Sequence, residues 1–108
     1  MQAADVVNRY EEILVASGEM VRAATENRWE DLINMEIVRR DLIDAVTAEQ
    51  VTPFDDAALQ ARKETLIRGI LLADERVKTL TVTWMAEMEG ILTSVKAERK
   101  LARAYETG

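Results

Sequence analysis

Apolar positions recur at helical spacing along almost the whole chain. From about Ala4 to Glu26 they repeat in heptads: Val7, Leu14 and Val21, then Tyr10, Ser17 and Ala24, flanked by Val6, Ile13 and Met20. This predicts a first helix over residues 4–26. The small Ser17 and Ala24, with Gly18 beside them, suggest close approach of a neighbouring helix. Equally, Gly18 can simply be tolerated at a cost of roughly 1 kcal/mol against Ala. Asn27-Arg28 reads as a turn. A second helix is predicted over 29–48, with Leu32, Met35, Leu42 and Val46 at 3-4 spacing, Arg39 in the slot between, and Trp29, Ile33 and Ile37 alongside. Val51-Thr52-Pro53-Phe54-Asp55 is the one clear break, because Pro53 disfavours helix at Thr52. Asp55 or Asp56 can cap the next helix.

The third run is the longest. Residues 56–93 hold helical periodicity without a proline, and at 1.5 Å per residue would reach ~57 Å. It carries two parallel stripes. One comprises Leu59, Leu66, Ile70, Ala73, Val77, Leu80, Trp84 and Ile91, with Lys63 and Glu87 in its remaining slots. The other comprises Ile67, Leu71, Asp74, Lys78, Thr81, Met85, Met88, Leu92 and Val95. Such a helix overhangs the first two by ~20 Å or more. A fourth helix, a second subunit or a client must cover the excess. Gly90 either ends the long helix early or bends it. A short fourth helix over 95–105 pairs Leu101 with Tyr105 and is too short to be stable alone. The expected fold is all-α: an antiparallel bundle of three long helices plus a short basic fourth, in a single domain spanning 1–108.

Composition narrows the chemistry. The 108 residues include four Gly and one Pro, which favours helices over sheets and turns. There is no cysteine and no histidine. That removes thiol chemistry, Cys/His zinc sites and the commonest general base. No catalytic residue, cofactor or metal site is expected. The formal charge of −6 disfavours nucleic acid and anionic membranes as partners. Residues 96–105 nonetheless carry +3, from Lys96, Arg99, Lys100 and Arg103 against Glu98. A basic tail on an acidic body can dock in cis, or on a neighbour in trans as in a homodimer. No signal peptide or apolar run long enough to span a membrane is present. With no disulfide framework, the chain fits a reducing cytoplasm.

Several residues admit two readings. Glu36 before Arg39 and Arg40 forms either a polar cleft or an ordinary intrahelical pair. Asp74 sits between Leu71 and Val77 on an apolar face. It needs Arg39 or Arg40 as a structural partner, or serves as a polar anchor for a bound protein, or takes part in catalysis. Met85 and Met88 flank Trp84 as core or as an adaptable client contact. An enzyme built like the small all-helical chorismate mutases would use Arg39, Arg40 and Lys63 as converging cations. An acidic body is a poor host for that site. A structural helical adaptor is a further alternative.

Three segments together resemble a known family: "NRWEDLINMEIVRRDLI" opening the second helix, "GILLADERVKTLTVTW" in the third, and the basic ending "VKAERKLARAY". Over nearly the whole chain their order and spacing are similar to the flagellar export chaperones of the FliT type. The resemblance implies a cytoplasmic, non-enzymatic type III export chaperone that binds the C-terminal region of the filament-capping protein. It also implies contacts with components of the export ATPase complex and, in some relatives, with the master transcriptional activator of flagellar genes. In that family the last helix covers the binding groove, a role that would fall here on Leu101 and Tyr105. The groove itself, placed from the second stripe, would comprise Ile67, Leu71, Asp74, Lys78, Met85 and Met88. Little lies beyond Tyr105, so no longer regulatory tail is expected.

Overall fold

A computed structural model describes residues 2–49 and 54–107, with side chains given through Tyr105. The described residues form three helices and no strand: α1 (Ala3–Thr25), α2 (Trp29–Thr47) and α3 (Ala57–Thr107). The chain is all-helical. By its internal contacts it divides into two units, Met1–Lys78 and Thr79–Gly108.

Local chemistry sets the helix ends. At the start of α1, the Gln2 amide donates to Asp5 Oδ2 at 3.2 Å, and Asp5 lies in the first turn where the dipole favours a carboxylate. Its C-terminus is closed by a Schellman motif. Arg28 N–H bonds Ala23 O at 2.8 Å and Asn27 N–H bonds Ala24 O at 3.3 Å. Asn27 takes the required left-handed conformation, with φ of 59°; asparagine is the side-chain-bearing residue that tolerates it best. Arg28 then bridges the turn, donating to Asp31 at 3.0 Å and to Glu26 at 2.7 Å. These two hydrogen bonds, Asp31 first, raise its pKa further and keep it cationic. Asp56 caps α3: its Oδ1 accepts from the amides of Ala58 at 2.9 Å and Leu59 at 3.2 Å. The expected break at Val51, Thr52 and Pro53 lies outside the described residues.

The core sits in the first unit. Val6, Ile13, Val46 and Ile70 form its centre, with Tyr10, Leu14, Leu42, Ile43 and Phe54 packed around them. Fully burying an aliphatic side chain of this size contributes roughly 1.5–3 kcal/mol. Ile13 and Leu66, at 1% exposure each, contribute at the upper end of that range. The small-residue reading of α1 divides: Ser17 and Ala24 are buried, whereas Gly18 is not at an approach. A Cβ added at Gly18 would meet nothing within 4 Å, so no helix approaches there. Among the glycines the close approach is at Gly69 of α3, where an added Cβ would lie 3.1 Å from Leu14 Cδ1.

The largest difference from expectation concerns α3. In place of a helix over 56–93 and a separate one over 95–105, it is one uninterrupted helix of 51 residues. Gly90 lies inside it. One interior glycine costs about 1 kcal/mol. Ending the helix there would instead orphan four carbonyls and four amides. Ser94, which separates the two expected helices, carries no helix-breaking penalty comparable to that of proline.

Candidate functional site

In the first unit, three helical segments line a half-open apolar cavity of about 190 Å³. Tyr10 and Ile13 line it from α1; Ile43, Val46 and Thr47 from α2; Ile67, Ile70, Leu71 and Asp74 from α3. A cavity of ~150 Å³ with aliphatic walls admits a benzene-sized group. This one therefore has room for one large apolar side chain. Its lip is asymmetric. Ile13, Val46 and Ile70 are buried, whereas Leu71 is 57% exposed and presents its side chain to the outside.

Asp74 is the one carboxylate in the wall. Its Oδ1 accepts from Arg39 Nη1 at 2.6 Å, and the same nitrogen lies 3.3 Å from Ser17 Oγ. Ser17, which is buried, donates in turn to the Ile13 carbonyl at 2.8 Å. All three helices are thus tied at one polar node. Arg39 is mostly buried there, with 13% of its side chain exposed against 42% for Asp74. A charge so placed needs a counter-charge to offset its desolvation. Arg40 is not part of the node; it bridges Glu36 at 3.0 Å within its own helix.

The residues expected in a groove therefore separate. Ile67, Leu71 and Asp74 share the cavity, while Lys78 is exposed and does not line it. Met85 and Met88 belong to the second unit, where Met85, Met88, Leu92 and Val95 are exposed along one helix. Leu101 and Tyr105, at 59% and 85% exposure, are carried by the same uninterrupted α3. Sequence reasoning placed the groove between the second and third helices; it missed the contribution of α1 and named no lining residue on α2. Tyr10 was legible only as a position in the heptad row of α1, and Ile43 was not singled out. Sequence reasoning also took Ser17 for a spacer where it is a hydrogen-bonding partner. A polar atom in an otherwise apolar heptad row was the available signal.

Residues 7–107 match the family described as "Flagellar protein FliT". The chain belongs to the FliT family. Two FliT relatives show how far the likeness extends. The Flagellar protein FliT of Photorhabdus laumondii subsp. laumondii is 21% identical over 101 residues, covering 94% of this chain and 81% of that protein. That of Cronobacter sakazakii is 21% identical over 99 residues, covering 92% and 82%. FliT proteins are flagellar proteins and not enzymes, which sets the chorismate mutase alternative aside. The geometry points the same way. Arg39 is held by Asp74, Arg40 by Glu36, and Lys63 lies 5.0 Å over the ring of Phe54. The three cations have three separate partners and do not converge on a dicarboxylate. Among the described residues no helix is long and apolar enough to cross a membrane.

Proposed function

We propose that this FliT-family chain is a cytoplasmic type III export chaperone, and that its client is the C-terminal region of the flagellar filament-capping protein. The observation that carries the reading is the apolar cavity with exposed Leu71 at its lip, in a chain of a flagellar family. A client helix lays its apolar face along Ile67 and Leu71 and inserts one side chain into the cavity. Asp74, whose carboxylate is partly exposed, and Lys78 offer polar anchors beside it. Met85 and Met88 supply adaptable contacts farther along α3.

In this reading α1, α2 and residues 57–78 form an antiparallel three-helix body. The pairings that support it run in opposite senses: Tyr10 and Ile13 share a cavity with Val46 and Ile43, while Ser17 meets Arg39. Residues 95–105 are the removable cover, acting through Leu101 and Tyr105 as a fourth helix. That state requires α3 to break, and Gly90 is the residue where a break costs least. Export ATPase components and the flagellar transcriptional activator are further partners on the same reading.

Titration calorimetry with a C-terminal fragment of the capping protein tests this. Deleting residues 96–108 is expected to tighten binding. Leu71→Asp, at an exposed position, is expected to weaken it by about tenfold or more, near 1.4 kcal/mol, with helicity unchanged. Unchanged affinity on deletion would remove the cover; unchanged affinity of the Leu71 variant would remove the cavity as the client site.

A further inference from the structure

We propose that the outer face shared by α1 and α2 is a second docking surface, and that its occupant is a basic amphipathic helix of another protein. The proposal does not rest on the chaperone reading. Ala16 and Glu19 of α1 and Asn34, Met35 and Val38 of α2 line an open groove of about 290 Å³. Val38 is 60% exposed in it, and Met35 is half-buried. A cavity of ~150 Å³ already admits a benzene-sized group, so this groove has room for more than one apolar side chain. It is separate from the cavity described above. Asn34 stands nine residues before Ile43, and Val38 nine before Thr47. Nine residues make about two and a half helical turns, so the members of each pair point to opposite sides of α2. A chain whose cavity is filled keeps this groove open.

Charge narrows the occupant. Spacing by three and four puts Glu12, Ala16 and Glu19 in one row on α1, and Asp31, Asn34, Val38 and Asp41 in one row on α2. Both rims of the groove are therefore acidic. Arg9 bridges Glu12 at 3.3 Å and Arg28 bridges Asp31 at 3.0 Å. Glu19 and Asp41 have neither an ion pair nor a hydrogen bond among the described residues. Across residues 3–47, ten Asp and Glu stand against five Arg and no Lys. Such a surface repels nucleic acid and anionic membranes. It suits a helix that lays an apolar stripe on Met35 and Val38 and carries Lys or Arg on both flanks of that stripe. From Asp31 to Asp41 the α2 rim rises by about 15 Å, which matches a partner helix of about three turns.

Fluorescence anisotropy of two labelled helical peptides against the full chain tests the surface. Both peptides carry the same leucine stripe; one has Lys and Arg on its flanks and the other has Glu. At ~0.1 M salt the basic peptide should bind at least about tenfold tighter than the acidic one, and added salt should weaken it. Glu19→Lys combined with Asp41→Lys should weaken the basic peptide by about tenfold and tighten the acidic one. Loss of folding cannot imitate that reversal. Asp55→Lys combined with Glu64→Lys changes the net charge equally, at exposed positions that do not line the groove. This control should leave the basic peptide within about twofold, because salt screens exposed charges beyond ~10 Å. Val38→Gln should weaken the basic peptide with helicity unchanged. A basic peptide no tighter than the acidic one overturns the proposal. So does an equal loss from the two charge-reversed pairs, or indifference to Val38→Gln. A tenfold gain on deleting residues 96–108 would make the chain's own basic segment the occupant, and overturns the external partner.

Discussion

At position 17 a serine stands in the heptad row of α1 where the neighbouring turns carry Tyr10 and Ala24. Its hydroxyl is satisfied on both sides, by the Ile13 carbonyl and by Arg39. Arg39 is less completely served, for its Nε is buried without a hydrogen-bond partner among the described residues. Asp74 therefore carries most of the compensation for a largely buried cation. Removing one partner of such a pair costs more than removing both. Asp74→Ala is expected to destabilise the chain by about 1–2 kcal/mol, below the fully buried range because the carboxylate is partly exposed. Arg39→Met combined with Asp74→Leu should cost less than Asp74→Ala alone. Urea unfolding of the two variants decides it. If the double variant is the less stable, the node holds the helices together by attraction and does not merely set their register.

At the scale of elements, the helix ends were open to sequence reasoning wherever a local rule acts alone. Asn27-Arg28 closes α1, and Asp56 caps α3, as their residue types suggest. The stripes were legible in part. Leu59, Leu66, Ile70, Ala73 and Val77 on the first are buried or half-buried, but Ile91 is exposed; on the second Leu71 and Met85 are exposed, whereas Ile67 and Asp74 are half-buried. What periodicity could not supply was the outcome of a contest between small terms. A glycine at 90 weakens a helix by about 1 kcal/mol, yet the 51-residue helix runs through it. The cavity was also illegible as a cavity, because its walls come from three segments whose mutual register no single periodicity encodes. Gly90→Pro puts a number on the continuity of α3. Proline removes an amide donor and its ring clashes with the carbonyl four residues back, at Ala86. Helicity by circular dichroism should fall, while the main urea transition should move by no more than about 0.5 kcal/mol, as for a surface substitution. The reason is that the buried side chains among the described residues all lie between Val6 and Ile70. A loss of about 2 kcal/mol or more, beyond any surface effect, would mean that residues past 90 support the body.

At the scale of the whole molecule, stability is distributed very unevenly between the two units. Residues 1–78 hold every buried side chain among those described, whereas from Met85 to Tyr105 every side chain is exposed. Helical propensity alone leaves short helices marginal in water, and most helical stability in proteins comes from packing an apolar face. The second unit thus has the composition of a helix awaiting a partner. Amide exchange separates the two contributions. Amides around Ile13, Val46 and Leu66 should exchange only through global unfolding, and those beyond Met85 through local opening that is orders of magnitude more frequent. Adding the capping-protein fragment should raise protection around Met85 and Met88, which belong to the proposed client contact, by mass action. Exchange beyond Met85 that does not change with the fragment would remove those two methionines from that contact.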